Sequence, residues 1–166
     1  MRDRSRGLVV VRHAKSDRTV TGADHDRPLA ARGRREAPLA GEWLREQEAA
    51  VDLVRCSTAT RARQTGELLL PELSGSPRLE HDPRLYGADT TGLLEVVHDL
   101  PAEYQVALLI AHNPGLEELV ALLTGTSIEL KTSGVAVLRT SGTWSEAGAG
   151  WAELAAHATP RPPEQL

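Results

Sequence analysis

The sequence predicts an α/β protein in which a mostly parallel sheet lies between two layers of helices, a three-layer α/β/α sandwich. Short apolar, β-branched runs alternate with segments of helical periodicity along the 166 residues, which is typical of parallel strands joined by helices. The strongest runs are apolar at every position, as expected for strands buried on both faces. This length is common for one domain. We therefore predict a single domain over residues 1–158 and a proline-rich, extended or flexible tail over residues 159–166.

The first half of the chain predicts three strands and two helices. Gly7 to Arg12 is short, apolar and β-branched, which indicates a buried strand. Further along, Leu39, Trp43 and Leu44 recur at helical spacing on one side of a long segment. Pro38 falls inside that segment, so the regular helix either starts close to this proline or kinks at it. The predicted strands of this half are residues 7–12, 51–56 and 78–80, and the predicted helices are residues 30–48 and 59–69.

The second half predicts two further helices and three strands. Gln105 to Ala111 is the strongest strand signal in the chain. Pro114 is suited to the first turn of the helix that follows it, and Gly125 is suited to its end. The predicted helices of this half are residues 90–100 and 114–124, and the predicted strands are residues 105–111, 134–139 and 151–156.

Composition and charge argue against several classes of protein. The net charge of −4 does not favour binding to nucleic acid. The longest apolar run, residues 106–111, is far too short to span a bilayer, and we see no signal peptide. Cys56 is the one cysteine, so the chain cannot form an internal disulfide, which favours a reducing compartment. We expect a cytoplasmic protein that binds neither nucleic acid nor membranes.

Two arginines and two histidines follow the predicted parallel strands. Arg12 and His13 come at the end of the first strand, and His112 comes directly after the strand at residues 105–111. Arg61 lies in the first turn of the helix that follows the second strand. Because ligands in open α/β sheets bind beyond the carboxyl ends of the strands, we expect these four side chains to meet there. Neither helical nor strand periodicity requires residues of this kind at those positions.

Such a cluster is suited to the transfer of a phosphoryl group. A guanidinium presents a planar fork of donors that matches phosphate oxygens, and two of them neutralise most of the charge. A neutral imidazole can attack phosphorus and form a covalent phosphohistidine. A second imidazole, kept protonated by the phosphate, can donate to the phosphoryl oxygens in the transition state.

The motifs around these residues resemble those of the histidine phosphatase superfamily. The segment Val-Val-Arg-His-Ala-Lys-Ser at residues 10–16 is similar to its Arg-His signature, and the Ala-Lys-Ser ending resembles the short SixA-type branch of phosphohistidine phosphatases. The resemblance runs in the same order over most of the chain. It continues at residues 26–29, 32–33, 57–65, 85–86, 112–117 and 132–134.

The resemblance implies that His13 is the nucleophile and that Arg12, Arg61 and His112 bind the phosphoryl group. It also implies a fold of the phosphoglycerate mutase type and a reaction that needs no metal and no other cofactor. Larger members of the superfamily carry an acidic proton donor on an inserted segment. The fifty residues between Arg61 and His112 show no clear insertion. The acids available there are Glu80, Asp82 and Asp89, and none of them lies in a motif that we can assign.

A missing acid favours a phosphohistidine substrate, because its imidazole can leave already protonated, whereas an alkoxide requires a proton. We therefore expect a phosphatase that acts on phosphorylated protein histidine. The alternatives are a phosphatase of small phosphorylated molecules, which would use one of the three acids, and a module that binds phosphorylated partners without catalysis.

Several nearby residues suit more than one role. Lys15, Ser16 and Asn113 are further candidates for substrate binding, although Lys15 and Ser16 equally suit a role in shaping their loop. The consecutive Asp24, His25 and Asp26 resemble metal ligands in composition. Their spacing does not direct three donors at one centre, and we expect Asp26 to brace the start of the first helix instead. We also expect Ser57 to cap the helix that carries Arg61, and Arg63 to form a surface ion pair.

Overall fold

Six strands form one sheet in the computed structural model of the protein, which describes residues 5–163. They are β1 (Arg6–Arg12), β2 (Leu53–Cys56), β3 (Arg78–His81), β4 (Val106–Ala111), β5 (Val135–Thr140) and β6 (Glu153–Ala158). Their order across the sheet is β3-β2-β4-β1-β5-β6. The first four of these are mutually parallel, and β5 runs antiparallel to both of its neighbours. The predicted, mostly parallel sheet is therefore confirmed.

Helices cover both faces of this sheet. They are α1 (Ala31–Glu46), α2 (Thr60–Leu69), α3 (Thr90–His98) and α4 (Gly115–Thr124). The strand β1 shows how the layers form: Leu8 and Val10 pack with α3 and α4, whereas Val9 and Val11 pack with α1 and α2. Because alternate side chains enter two different cores, the central positions of β1 are all apolar. The three-layer α/β/α sandwich is confirmed, and no helix between residues 5 and 163 has the length and apolar character needed to cross a membrane.

The helix α1 departs from its predicted buried face. Pro38 lies inside the helix, so the helix does not start at it. The residues that α1 buries fully include Ala37, Ala40 and Leu44, whereas Leu39 is only half-buried. Small residues face inward because α1 lies very close to its neighbours, and a Cβ on Gly33 would collide with the carbonyl oxygen of Lys15. This close approach fixes the loop that follows β1 against the start of α1.

The end of the chain also differs in detail from the sequence-based prediction. The last strand begins at Glu153, two residues later than predicted, because Trp151 lies in the preceding turn, where its indole Nε1 donates to the Thr143 carbonyl. Residues 159–163 have no regular secondary structure. Within them, Arg161 donates to the Thr132 carbonyl at 3.0 Å and forms an ion pair with Glu36 at 3.3 Å. The rest of the predicted flexible tail, residues 164–166, lies outside the described part of the chain.

Candidate active site

The four predicted site residues meet at the carboxyl ends of neighbouring parallel strands. Arg12 is the last residue of β1 and pairs with Ala111, the last residue of β4, so His13 and His112 follow two adjacent strands at the same level. Arg61 lies in the first turn of α2, which follows β2 on the other side of β4. The ring centroids of His13 and His112 are 5.1 Å apart. The sheet topology thus brings together residues that are up to a hundred positions apart in sequence.

His13 is held as a neutral imidazole with a defined orientation. Its side chain is buried, and Nδ1 lies 2.8 Å from the Ala14 carbonyl oxygen. A carbonyl can only accept, so Nδ1 carries the proton and Nε2 carries the free lone pair. Burial lowers the pKa of His13 to about 3, and the positive charges of Arg61 and Arg12 contribute to this shift. Nε2 of His13 is therefore unprotonated at neutral pH and available as a nucleophile.

His112 is oriented by a buried hydroxyl. Its Nε2 lies 2.7 Å from Ser57 Oγ, which itself accepts the backbone N–H of Ala59 at 3.3 Å. When Ser57 donates its hydroxyl hydrogen to His112 Nε2, the proton of the neutral ring lies on Nδ1. Burial lowers the pKa of His112 to about 4, with Arg61 adding to the shift. The prediction that Ser57 caps α2 is wrong: the cap position is Ala59, and Ser57 bonds to His112 instead.

The two arginines present buried donors that lack partners. Arg61 is 6% exposed, and Arg12 donates from Nη1 to the Leu130 carbonyl at 3.3 Å. In residues 5–163, five buried polar side-chain atoms have no hydrogen-bond partner. They are Nε of Arg6, Arg12, Arg27 and Arg61, and Oγ of Ser133. Four of these five residues lie at the site. Arg12 and Arg61 belong to it, and the charge of Arg27 lowers the pKa of His112. The Ser133 amide donates to the carbonyls of Arg12 and His13. Unsatisfied buried donors around two cations are typical of an anion-binding site.

The three candidate acids are engaged elsewhere. Glu80 accepts from Arg55 Nε at 2.9 Å, and Asp89 accepts the Gly92 amide at 2.9 Å as the N-cap of α3. Asp82 forms an ion pair with Arg84 at 2.9 Å. Burial alone would raise the pKa of Asp82, but the hydrogen bonds from Arg84 outweigh it and lower that pKa overall. These contacts give each acid a structural partner.

The three other candidate residues shape the loops around the site. Lys15 accepts the Ala30 amide through its carbonyl, and the buried Ser16 forms an isolated bridge with Leu29. The Asn113 amide donates to the Leu130 carbonyl at 2.7 Å, so it fixes the same loop that Arg12 contacts. A direct role of Lys15, Ser16 and Asn113 in substrate binding stays a prediction.

A polar turn at residues 24–26 also reaches the site, which the sequence did not reveal. Arg61 donates to Asp24, and Tyr86 donates to the same carboxylate at 2.7 Å. Asp26, which we expected to brace α1, is exposed, and its carboxylate instead lies 3.7 Å from His25. In the described part of the chain, no group of three or more His, Cys, Asp or Glu side chains could hold a metal ion. Arg63 is exposed, as expected, but it forms no ion pair with any residue of the described part.

Comparisons with known proteins show the relatives and the fold that this chain resembles. An uncharacterized protein of Mycobacterium tuberculosis H37Rv, Rv1276c, is 41% identical over 162 residues, which cover 91% of this chain and 100% of that protein. A proposed phosphohistidine phosphatase SixA from Nakamurella multipartitia is 33% identical with a TM-score of 0.80, covering 94% of this chain and 96% of that chain. The protein histidine phosphatase SixA complexed with tungstate is 26% identical with a TM-score of 0.79, covering 93% and 97%.

The family model of the histidine phosphatase superfamily, branch 1, matches residues 8–108. That match spans more than half of the chain and includes β1, the loop that carries Arg12 and His13, and the helix that carries Arg61. With this sequence match, the shared fold and the cluster at the strand ends, the chain belongs to the histidine phosphatase superfamily, a family of phosphatases.

Proposed function

We propose that this protein dephosphorylates phosphohistidine on other proteins through a covalent phosphohistidine on its own His13. The observation that carries the proposal is the state of that ring. His13 is buried and neutral, with Nδ1 fixed on the Ala14 carbonyl and Nε2 facing a site bordered by His112 and two arginines. A fixed imidazole with a free lone pair beside paired cations is suited to nucleophilic attack on phosphorus.

In the first step, the lone pair of His13 Nε2 attacks phosphorus, and the bond between phosphorus and the substrate nitrogen breaks. The bonding electrons leave with the substrate imidazole, which takes up a proton. Arg12 and Arg61 neutralise the phosphoryl oxygens, and the Nδ1–H of His112 donates to one of them while Ser57 holds the opposite nitrogen. Positioning and charge neutralisation supply most of the catalysis in reactions of this kind.

In the second step, water attacks the phosphorylated His13. The bond between phosphorus and Nε2 breaks, its electrons return to the imidazole, and inorganic phosphate leaves. The proton lost by the attacking water is taken up by the phosphate or by solvent. The enzyme returns to the neutral His13 with which it started.

The three candidate acids already have structural partners, which favours a phosphoramidate substrate over a phosphoester. Glu80, Asp82 and Asp89 all have structural partners. Glu117, whose charge acts on Arg12, accepts the Leu130 amide at 2.6 Å. The hydrogen bond from Tyr86 lowers the pKa of Asp24, which borders the site, so Asp24 is ionised and cannot donate a proton. An alkoxide leaving group would lack a donor here, whereas the imidazole of phosphohistidine accepts its proton readily from solvent.

The charge of the segment that carries Arg12 and His13 supports a substrate carried on another protein. Residues 12–35 hold seven Arg and Lys against three Asp, although the whole chain has 19 basic and 23 acidic residues. Burial lowers the pKa of Arg12, and the nearby charge of the exposed Arg18 lowers it further, so Arg18 lies at the edge of the site. A local basic surface of this kind attracts an acidic partner and speeds its association.

Rapid quenching with a ³²P-labelled phosphohistidine-containing phosphotransfer domain tests the proposal. We expect an acid-labile, base-stable label on residue 13 of the wild type and no label on His13→Asn. His81→Ala, which changes an exposed histidine of β3, is the matched control and should be labelled like the wild type. No transfer from this domain, together with strong turnover of sugar phosphates, would contradict phosphohistidine specificity. A label on another residue would contradict the proposed nucleophile.

A further inference from the structure

The carboxylate of Asp24 occupies donors that a phosphoryl group would use. Arg61 donates from Nη1 to the Asp24 carbonyl oxygen at 2.8 Å and from Nη2 to Asp24 Oδ2 at 3.1 Å. Arg27 forms an ion pair with Asp24 Oδ1 at 3.1 Å, and Tyr86 donates to Oδ2 at 2.7 Å. Both oxygens of this side chain therefore accept from the same cations that border His13 and His112. An anion of the chain itself takes up much of the hydrogen-bonding capacity of Arg61.

The two partners of this contact differ in how firmly they are held. The Arg61 side chain is 7% exposed and belongs to α2, whereas the Asp24 side chain is 53% exposed and lies in a short turn. Further contacts of the turn are made through His25, which bonds to Thr58 Oγ1 at 2.9 Å and packs edge-on against Tyr86. Exposed polar contacts of this kind contribute little stability and can be exchanged easily. Displacement of this contact therefore requires Asp24 to move and leaves Arg61 in place.

We propose that Asp24 is an internal competitor for the phosphoryl-binding donors of Arg61, displaced when substrate binds and returning as inorganic phosphate leaves. This inference rests on the proposed function only in that Arg61 binds the phosphoryl group. A dianion displaces the single carboxylate because it carries the larger charge, and Arg27 then remains the counter-ion of Asp24. By weakening the hold of the site on inorganic phosphate, Asp24 limits product inhibition.

A merely structural role for Asp24 predicts the opposite result. If Asp24 only positions the Arg61 guanidinium, its removal would leave Arg61 disordered and would weaken phosphate binding. If Asp24 competes, its removal frees the donors of Arg61 and strengthens phosphate binding. The sign of the change thus separates the two roles.

Calorimetric titration of the full chain with inorganic phosphate at pH 8 provides the test. For Asp24→Asn we expect the dissociation constant to fall about tenfold, which is the effect of removing one charged hydrogen-bonding competitor. Tyr86→Phe keeps both the ring and the Asp24 charge but removes the hydrogen bond that holds the carboxylate on Arg61. For that variant we expect a fall of about two- to threefold. Asp26→Asn removes an exposed charge from the same turn and serves as the matched control, with no change expected.

Weaker or unchanged phosphate binding by Asp24→Asn would overturn the inference. So would an equal gain in Asp26→Asn, because the effect would then come from net charge alone. Failure of the wild type and of Asp24→Asn to bind phosphate at all would instead contradict the proposed function. Thermal unfolding of each variant confirms that the comparison is made between folded proteins.

Discussion

Two clusters of polar side chains in this fold differ in how their charges are compensated. One is the ion-pair network on β2, β3 and the helix α3 that follows, whose members are Arg55, Glu80, Asp82, Arg84 and Asp99. The other is the site cluster of Arg12, His13, Arg61 and His112. In the network, each cation faces at least one carboxylate within 4.0 Å. In the site cluster, Arg61 pairs with the half-exposed carboxylate of Asp24, and the Nε atoms of Arg12 and Arg61 have no hydrogen-bond partner among residues 5–163.

This difference indicates which of the two clusters is suited to binding a ligand. Compensated charges cost little in the folded state, so the network is explained by its own contacts. Uncompensated buried donors are costly, and a fold retains them where a ligand completes them. Of the acids that the sequence offered as proton donors, Glu80 and Asp82 belong to this network, and Asp89 caps α3. The predictions below test whether this division between the two groups holds.

The largest expected effect concerns protonation of His13. Its pKa of about 3 lies more than three units below the ~6.5 of a free imidazole, a difference of over a thousandfold in proton affinity. The unfolded chain therefore binds more protons than the folded protein between these two values, and the free energy of unfolding falls as the pH drops below about 6.5. From pH 7 to pH 5 we expect the wild type to lose about 2 kcal/mol more of this free energy than His13→Asn.

Urea unfolding of the two proteins at both pH values measures this difference. Groups that titrate in the same way in both proteins cancel in the comparison. Equal losses in the wild type and the variant would show that folding does not lower the pKa of His13, and would contradict the buried, neutral ring on which the proposed nucleophile rests.

The next effect compares two arginines on one helix. Arg61 is buried and faces the site, whereas Arg63, two residues further along α2, is exposed. We expect Arg61→Ala to lower kcat/KM for a phosphohistidine substrate by about a hundredfold, because it removes a buried cation that we propose binds the phosphoryl group. Arg63→Ala removes the same charge from the same helix and should change kcat/KM by less than about twofold. Similar losses in both variants would mean that overall charge, rather than the site geometry, controls the reaction.

A smaller effect is expected at Ser57, which we propose orients His112. Without its hydroxyl, the Nε2 of His112 loses its partner at 2.7 Å, and the imidazole no longer favours the state with the proton on Nδ1. We expect Ser57→Ala to lower kcat about tenfold with little change in KM. Two-dimensional ¹⁵N spectra of the imidazoles provide a second measurement, since the Nδ1–H form of His112 should lose population. Unchanged tautomer populations would contradict this positioning role.

Much of the fold could be predicted because strands buried on both faces are continuous apolar runs in the sequence. The run Leu8–Val11 within β1 and the whole of β4 are apolar, and the end of these strands fixed the edge at which Arg12 and His112 would meet. The buried face of α1 could not be found in this way. Gly41 of α1 lies against the Leu69 carbonyl of α2, so the contact selects small residues, whereas periodicity of large apolar side chains suggests Leu39.

Only the site residues that the sheet topology brings together could be predicted from the sequence. Residues that end parallel strands are brought together by the sheet itself, whatever loops connect them. The contacts of Asp24 with Arg61 and of Ser57 with His112 join loops that are 37 and 55 positions apart. Loop conformations of this kind follow no period in the sequence. The residues that orient the site therefore emerge only when the packed loops are seen.

The smallest effect on activity is expected at Asp82, and it separates the two groups most directly. Asp82 is buried and accepts from Arg84 Nη2 at 2.9 Å, and Arg55 lies 3.7 Å away. Asp82→Asn keeps the shape but removes the charge, so we expect kcat to change by less than about twofold while unfolding costs about 1–3 kcal/mol less. Because the folded state lowers the pKa of Asp82, its contribution to stability is present above the unfolded pKa and is lost as the pH falls through the folded value. The stability gap between wild type and variant should therefore narrow in acid, which urea unfolding at pH 7 and below pH 4 can measure. A tenfold or greater loss of kcat with little loss of stability would instead make Asp82 the missing proton donor and favour a phosphoester substrate.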